Sequence, residues 1–193
     1  MNKLLAFFGM ASLGIIINDP KQQATASFSN IKEIDTLPDI CTVLPTADII
    51  KLSPFTIALS KSYADDPLED YRGCFYEFFK SPDFGTIKIS LLKSKSKADA
   101  LVIYNIDVAD HINSYQISPE PIPGLADSAH FNYNAGDLSK CDDCDLSLII
   151  GLYNIVVSFH GQYDDVPREK KKKAAISIVK LLYDRFPELL KKK

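Results

Sequence analysis

The spacing of apolar residues along this chain changes several times, and each change predicts an element. Ala47 to Leu52 carries apolar residues at near-helical spacing. Pro45, just before it, suits the first turn of a helix and not its interior. Ser53-Pro54 ends that helix. Residues 53–70 hold two prolines and the Asp65-Asp66-Pro67 cluster. They read as an irregular connection in which Phe55, Ile57 and Leu59 alternate enough for a short strand. From Tyr71 the period becomes two, with Cys74, Tyr76 and Phe78 on one face and Phe75 and Phe79 on the other. Such aromatic density is strand composition with both faces partly covered. Ser81-Pro82-Asp83 and Gly85 make a turn, after which Ile87, Ile89 and Leu91 alternate with Lys88 and Ser90, predicting a β-hairpin.

Ser96-Lys97-Ala98-Asp99 is a short capping signature for a helix reaching about residue 112, with Leu101, Tyr104 and Val108 as its expected buried stripe. Residues 118–124 hold three prolines and read as loop. Ser128 to Asn134 alternates small or apolar with polar residues. A second hairpin runs from Asp145 to His160 about Gly151-Leu152, where glycine at the first turn position suits a II′ turn. Pro167 opens a last helix with Ala174, Ile178, Leu181 and Leu182 as its apolar stripe, and Phe186-Pro187 interrupts it before a basic tail. The predicted order is α-β-β-α-β-β-β-α. Its economical architecture is α+β, an antiparallel sheet of about five strands with helices packed on one face.

The first residues follow another pattern. Lys3 precedes an apolar run from Leu4 to Ile17, and Ala24-Thr25-Ala26 offers the small residues that signal peptidase cleaves after. The run is shorter than the ~20 residues a membrane-spanning helix needs. The chain thus divides into a signal peptide (1–26), a polar lead (27–37) and a single α+β domain (38–193). Localisation is expected to be periplasmic or extracellular, with no stable membrane span after cleavage. No cysteine follows the apolar run, so no lipid anchor is available there. The whole chain carries 22 basic and 25 acidic residues. Cleavage removes Lys3, Lys21 and Asp19 and leaves a mildly acidic domain, which argues against nucleic acid as a partner.

Four cysteines, Cys41, Cys74, Cys141 and Cys144, remain after cleavage. An even count in an oxidising compartment argues for disulfides, and spacing alone does not choose among three connectivities. Cys141-Asp142-Asp143-Cys144 could in principle serve redox or metal chemistry. Redox use needs a depressed thiol pKa, whereas Asp137, Asp142, Asp143 and Asp145 raise it. A closed metal site needs four ligands, and no second Cys pair or His pair accompanies this one, although His130 could assist. A short disulfide pinning a turn is the favoured reading. His111, His130 and His160 lie on different predicted elements, and Asp127 and His130 would point to opposite faces of a strand. Lys170 to Lys173 and Lys191 to Lys193 read as a solvated helix face, with contact to an anionic envelope surface as the alternative.

Two short motifs resemble a family of small secreted bacterial lipoproteins of unknown function. Asp39-Ile40-Cys41-Thr42-Val43-Leu44 before a helix is similar to that family's Asp-x-Cys-x-x-Leu start. Ile122-Pro123-Gly124-Leu125-Ala126-Asp127-Ser128-Ala129 resembles its later Gly-Leu-Gly-Asp-x-Ala turn, with Ala126 where glycine is usual. The resemblance implies that Cys41 pairs with Cys74, the second cysteine at the start of the first long strand. That pairing leaves Cys141 to Cys144. The lipobox of that family is absent here.

No catalytic, metal or cofactor residue emerges from these patterns. The expectation is a non-enzymatic, exported binding or interaction domain at the cell envelope, acting on an envelope protein or a small ligand. Tyr71, Phe75, Tyr76, Phe78 and Phe79 could line a ligand cleft or simply form core. A secreted enzyme with a site assembled from distant residues is the alternative. A metal or redox protein using Cys141 and Cys144 is the third.

Overall fold

Asp39 shows why the Asp-x-Cys element folds as it does. In the computed structural model its carboxylate accepts from the Cys41 backbone N–H at 2.9 Å and from the Thr42 hydroxyl at 3.0 Å, capping the single turn α1 (Ile40–Val43). That turn aims Cys41 at the sheet. Residues 37–190 are described, apart from 57, 66, 81–82, 134–142 and 162–165. Among them follow α2 (Thr46–Leu52), β1 (Leu59–Ala64), β2 (Tyr71–Lys80), β3 (Asp83–Lys93) and α3 (Lys97–Tyr115). The chain continues through β4 (Glu120–Pro121), β5 (Ser128–Tyr133), β6 (Cys144–Ile150), β7 (Tyr153–His160), α4 (Arg168–Arg185) and a 3-10 turn (Pro187–Leu190).

The fold is α+β, with one antiparallel sheet of seven strands in the order β1-β2-β3-β7-β6-β5-β4. Two meanders, β1–β3 and β4–β7, meet along a β3–β7 seam where Thr86 lies opposite His160 and Lys93 opposite Tyr153. The expectation of about five strands falls short by β1 and β4. Both are edge strands, and β1 is exposed along nearly its whole length, so neither carries the apolar alternation that betrays a buried strand. Glu120 and Pro121 pair with Phe131 and His130, and proline is tolerated there because the strand lies at the sheet edge. The Gly151-Leu152 turn has the expected form. Gly151 takes a φ of 59°, which glycine adopts without steric cost.

Register separates the two faces of the sheet. Phe131, Leu146, Val157, Ile89 and Cys74 stand in one row across five strands, each fully buried. This apolar face holds the core, closed by Ile40 and Leu44 around α1, Ile49 of α2, and Ala175, Ile178, Val179 and Leu182 of α4. The Tyr76 hydroxyl donates to the Leu44 carbonyl. Cys41 and Cys74 are joined, their Cα atoms 5.3 Å apart, so α1 is tied to β2. At the edge, Glu120 accepts from both Arg168 and Lys172, pinning the start of α4 to β4.

The next row on the opposite face reads Asn132, Asp145, Ser158, Lys88, Phe75 and Tyr63. It is polar where the other is apolar. α3 lies on this face, with His130 and Asn132 bonded to its Asp107. Helices therefore cover both faces, not one. Of the expected α3 stripe, Tyr104 faces the sheet and Val108 is half-buried, but Leu101 is 47% exposed, and Ala100 and His111 are the buried residues. An apolar stripe turns inward only when the surface beneath it is apolar, and here that surface is not.

Candidate functional site

Nothing in 97–115 interrupts a helix, and both ends of α3 are closed. The Ser96 hydroxyl accepts from the Asp99 N–H at 3.1 Å and donates to the Asp99 carboxylate at 2.7 Å. Gln116 ends the helix in the left-handed region at φ 57°. Ala100, Tyr104, Asp107 and His111, spaced by four, three and four, face the sheet. Asp107 is the hub of what they meet. Its Oδ2 lies 3.0 Å from His130 Nε2 and accepts from Asn132 Nδ2 at 3.3 Å. The ring of Tyr104 packs edge-on against His130 at 4.7 Å. Ser147, opposite His130 in the register, completes the layer.

Burial opposes charge on Asp107, but the neighbouring His130, Ser147 and Asn132 outweigh it and hold the carboxyl below the ordinary carboxylate range. Asp145, opposite Asn132, goes the other way. Burial pushes its carboxyl up, the Ser158 hydroxyl and His160 counter this in part, and Asp107 and Asp143 add to the rise. Burial likewise pushes the His111 imidazole down, against the pull of Asp107 and Asp145. At the rim, His160 Nδ1 stands 3.2 Å from Asp143 Oδ1. Four atoms of the layer, His111 Nε2, His130 Nδ1, Asn132 Oδ1 and Ser147 Oγ, are buried without a hydrogen-bond partner among the described residues.

The fold thus gathers all three histidines, scattered in sequence, around two aspartates of α3 and β6. Asp127 is not among their partners, since its carboxylate accepts from the Gly151 N–H at 2.8 Å and braces the β6–β7 turn. The layer holds acid and base, yet general acid–base catalysis requires a substrate within hydrogen-bond reach. His130 and Ser147 are each 3% exposed beneath α3. Among the described residues, no three or more His, Cys, Asp or Glu are grouped to hold a metal ion. Cys144 is buried at the start of β6, and its expected partner Cys141, with Asp142, lies outside the described residues.

The aromatic cluster of β2 divides by alternation. Tyr76 and Phe78 are core, whereas Tyr71 and Phe75 stand on the polar face and Phe79 is 57% exposed. Tyr63 and Phe75 stack at 5.1 Å, with Lys61 over Tyr63 and Lys88 over Phe75, so cations already cover the outer ring faces. Tyr63, Phe75 and the two lysines form a ladder across β1, β2 and β3. Gly73 lets it pack, since a Cβ there would come 2.8 Å from the Tyr71 hydroxyl and 2.9 Å from Asp65 Cβ. A shallow groove of about 340 Å³ between α2 and α4 is lined by Asp48, Lys51, Lys180 and Asp184 among others and contains none of the residues above. The expected solvated lysine run on α4 is partly turned in, with Lys171 1% exposed and Lys172 bonded to Glu120 and Glu169.

Part of what α3 hides is polar, and much of what it shows is apolar. Leu101, Val102, Ile103, Ile106, Ile112 and Tyr115 are 37–56% exposed, and Leu101, Val102, Ile106 and Ile112 lie on the side away from the sheet. No described helix is long and apolar enough to cross a membrane. Comparison with known protein families, curated proteins and solved structures finds no match to the chain.

Proposed function

We propose that this chain is an exported interaction domain that works at the cell envelope by presenting the outer side of α3 to a partner. The observation that carries the reading is the inverted helix: the exposed Leu101, Val102, Ile106 and Ile112 lie on its outer side while Asp107 and His111 point to the sheet. An exposed apolar patch of this extent on a closed fold is characteristic of a contact surface. Leaving such side chains in water forgoes ~25 cal/mol for each Å² that a partner would cover. The polar layer beneath acts as the support that fixes the presented face. The leader pattern, the Cys41–Cys74 staple and the likeness to small secreted lipoproteins support the envelope as the place of action.

Asp107, His130 and Ser147 favour one alternative, a secreted enzyme whose site is uncovered when α3 lifts. A photo-crosslinking residue at Ile106 in expressing cells separates the two. A discrete adduct from Ile106, absent when the crosslinker stands at exposed Lys180 on α4, is the expected result. No adduct from Ile106 in any fraction would sink the contact-surface reading. N-terminal sequencing of the cell-derived protein is expected to begin near Ser27, and a start at Met1 would remove the export step.

A further inference from the structure

We infer that the partner of α3 is a second copy of this chain, packed antiparallel about a two-fold axis through Asn105. The inference rests on the contact-surface reading and adds the identity of the occupant. Ala98, Val102, Asn105, Ala109 and Ile112 are all exposed. Their spacing of four, three, four and three residues is the a/d rhythm of a helix–helix seam. The inner stripe from Ala100 to His111 repeats the rhythm on the far side, so one helix has two contact lines and the sheet occupies only one. The outer seam is flanked by Leu101 and Ile106, 47% and 54% exposed. Its small members, Ala98 and Ala109, allow close backbone approach.

Two features favour a second copy, and an antiparallel one. Asn105 is the single polar residue of the seam and lies near the middle of the helix. On a two-fold axis its amide meets its own image, each donating one hydrogen bond and accepting one, and a lone polar residue in a seam fixes register in this way. Charge is complementary in the same sense. Lys95 and Lys97 stand at the N-terminal end, where they oppose their own helix dipole, and the last turn of α3 carries no basic residue. An antiparallel copy sets each basic end beside the other's negative C-terminal end.

The test uses the full protein purified from expressing cells. Sedimentation velocity across a range from about 1 to 200 μM is expected to show a reversible dimer, and Val102→Glu should weaken association at least tenfold with the circular dichroism spectrum unchanged. Orientation is read by disulfide trapping. Asn105→Cys alone should give a covalent dimer under mild oxidation, and Ala98→Cys alone should not. Ala98→Cys mixed with Ile112→Cys should link as a heterodimer. Equal trapping by each single cysteine would overturn the antiparallel arrangement. A wild-type protein that stays monomeric throughout, with no covalent dimer from Asn105→Cys, would overturn the second copy. In that event an Ile106 adduct of different mass still leaves α3 a contact surface, whereas loss of both defeats the two readings together.

Discussion

Replacing Asp107 with Ala removes the hub on which α3 rests. The carboxylate holds two buried groups, His130 Nε2 at 3.0 Å and Asn132 Nδ2 at 3.3 Å, on residues 3% and 4% exposed. A buried polar group left without its partner costs about 1–3 kcal/mol. Two such groups would cost about 2–6 kcal/mol, but the Asp107 side chain is 43% exposed, so water replaces part of what it supplied. We expect a loss of about 2 kcal/mol for Asp107→Ala and about half that for Asp107→Asn, which keeps one acceptor oxygen. The pH dependence gives the sharper check. The folded carboxyl lies below its ordinary value, so its contribution is complete above the unfolded pKa and is lost as pH falls through the folded one. Urea unfolding of wild type and Asp107→Asn should therefore differ near pH 7 and converge as pH falls below about 4, where the carboxyl protonates. Asp145 and His111 both feel the Asp107 charge, so removing it should also lower the Asp145 carboxyl and the His111 imidazole. A gap that is equal at both pH values, or absent at pH 7, would refute the idea that an ionised Asp107 clamps the helix.

Two further predictions follow from the same geometry. Cys41→Ala/Cys74→Ala opens a bridge of sequence separation 33 and should cost about 3–4 kcal/mol on the chain-entropy estimate, read as a lower melting temperature. Peptide mapping without reductant that finds either thiol free would refute the bridge. Asp145→Asn should stabilise the protein near neutral pH by about 1 kcal/mol, because burial raises the folded carboxyl and ionising it there costs stability. That cost grows as pH rises from the unfolded pKa through the folded one, so the gain should vanish in acid. A less stable variant at pH 7 would show that the Asp145 charge is needed.

The elements legible in the sequence are those whose two sides meet different surroundings. In the β2–β3 and β6–β7 hairpins, Ile87, Ile89 and Leu91, and Ile155, Val157 and Phe159, alternate because every second position enters one apolar core. β1 and β4 escape notice because an edge strand in water has no such contrast. The polar layer was hidden for a different reason. Choosing Leu101, Tyr104 and Val108 as the buried stripe of α3 places Tyr104 correctly but assumes that a sheet offers an apolar face to every helix. The contrary signal was present in His130 and Asn132 on β5 and Asp145 and Ser147 on β6, polar at alternate positions of neighbouring strands. Beside them stands the Ala100-Tyr104-Asp107-His111 stripe, which has the same helical period as an apolar one. Polar residues at strand spacing are ordinarily assigned to solvent, and only pairing reveals that a helix covers them.

The seam between the two meanders also dictates the order in which this sheet can be completed. β3 has β2 on one side, but its other neighbour is β7, so Thr86 waits for His160 and Lys93 for Tyr153. During synthesis, the first meander and both cysteines of the Cys41–Cys74 bridge emerge well before β7 exists. The N-terminal half can therefore be covalently locked while one flank of β3 still presents a row of unpaired N–H and C=O groups, a template for pairing with other chains. α3 is made in that interval, before β5, β6 and β7, and its inner stripe has no surface to rest on until they arrive. The last strand to appear closes the seam, shields β3 and completes the bed on which α3 settles.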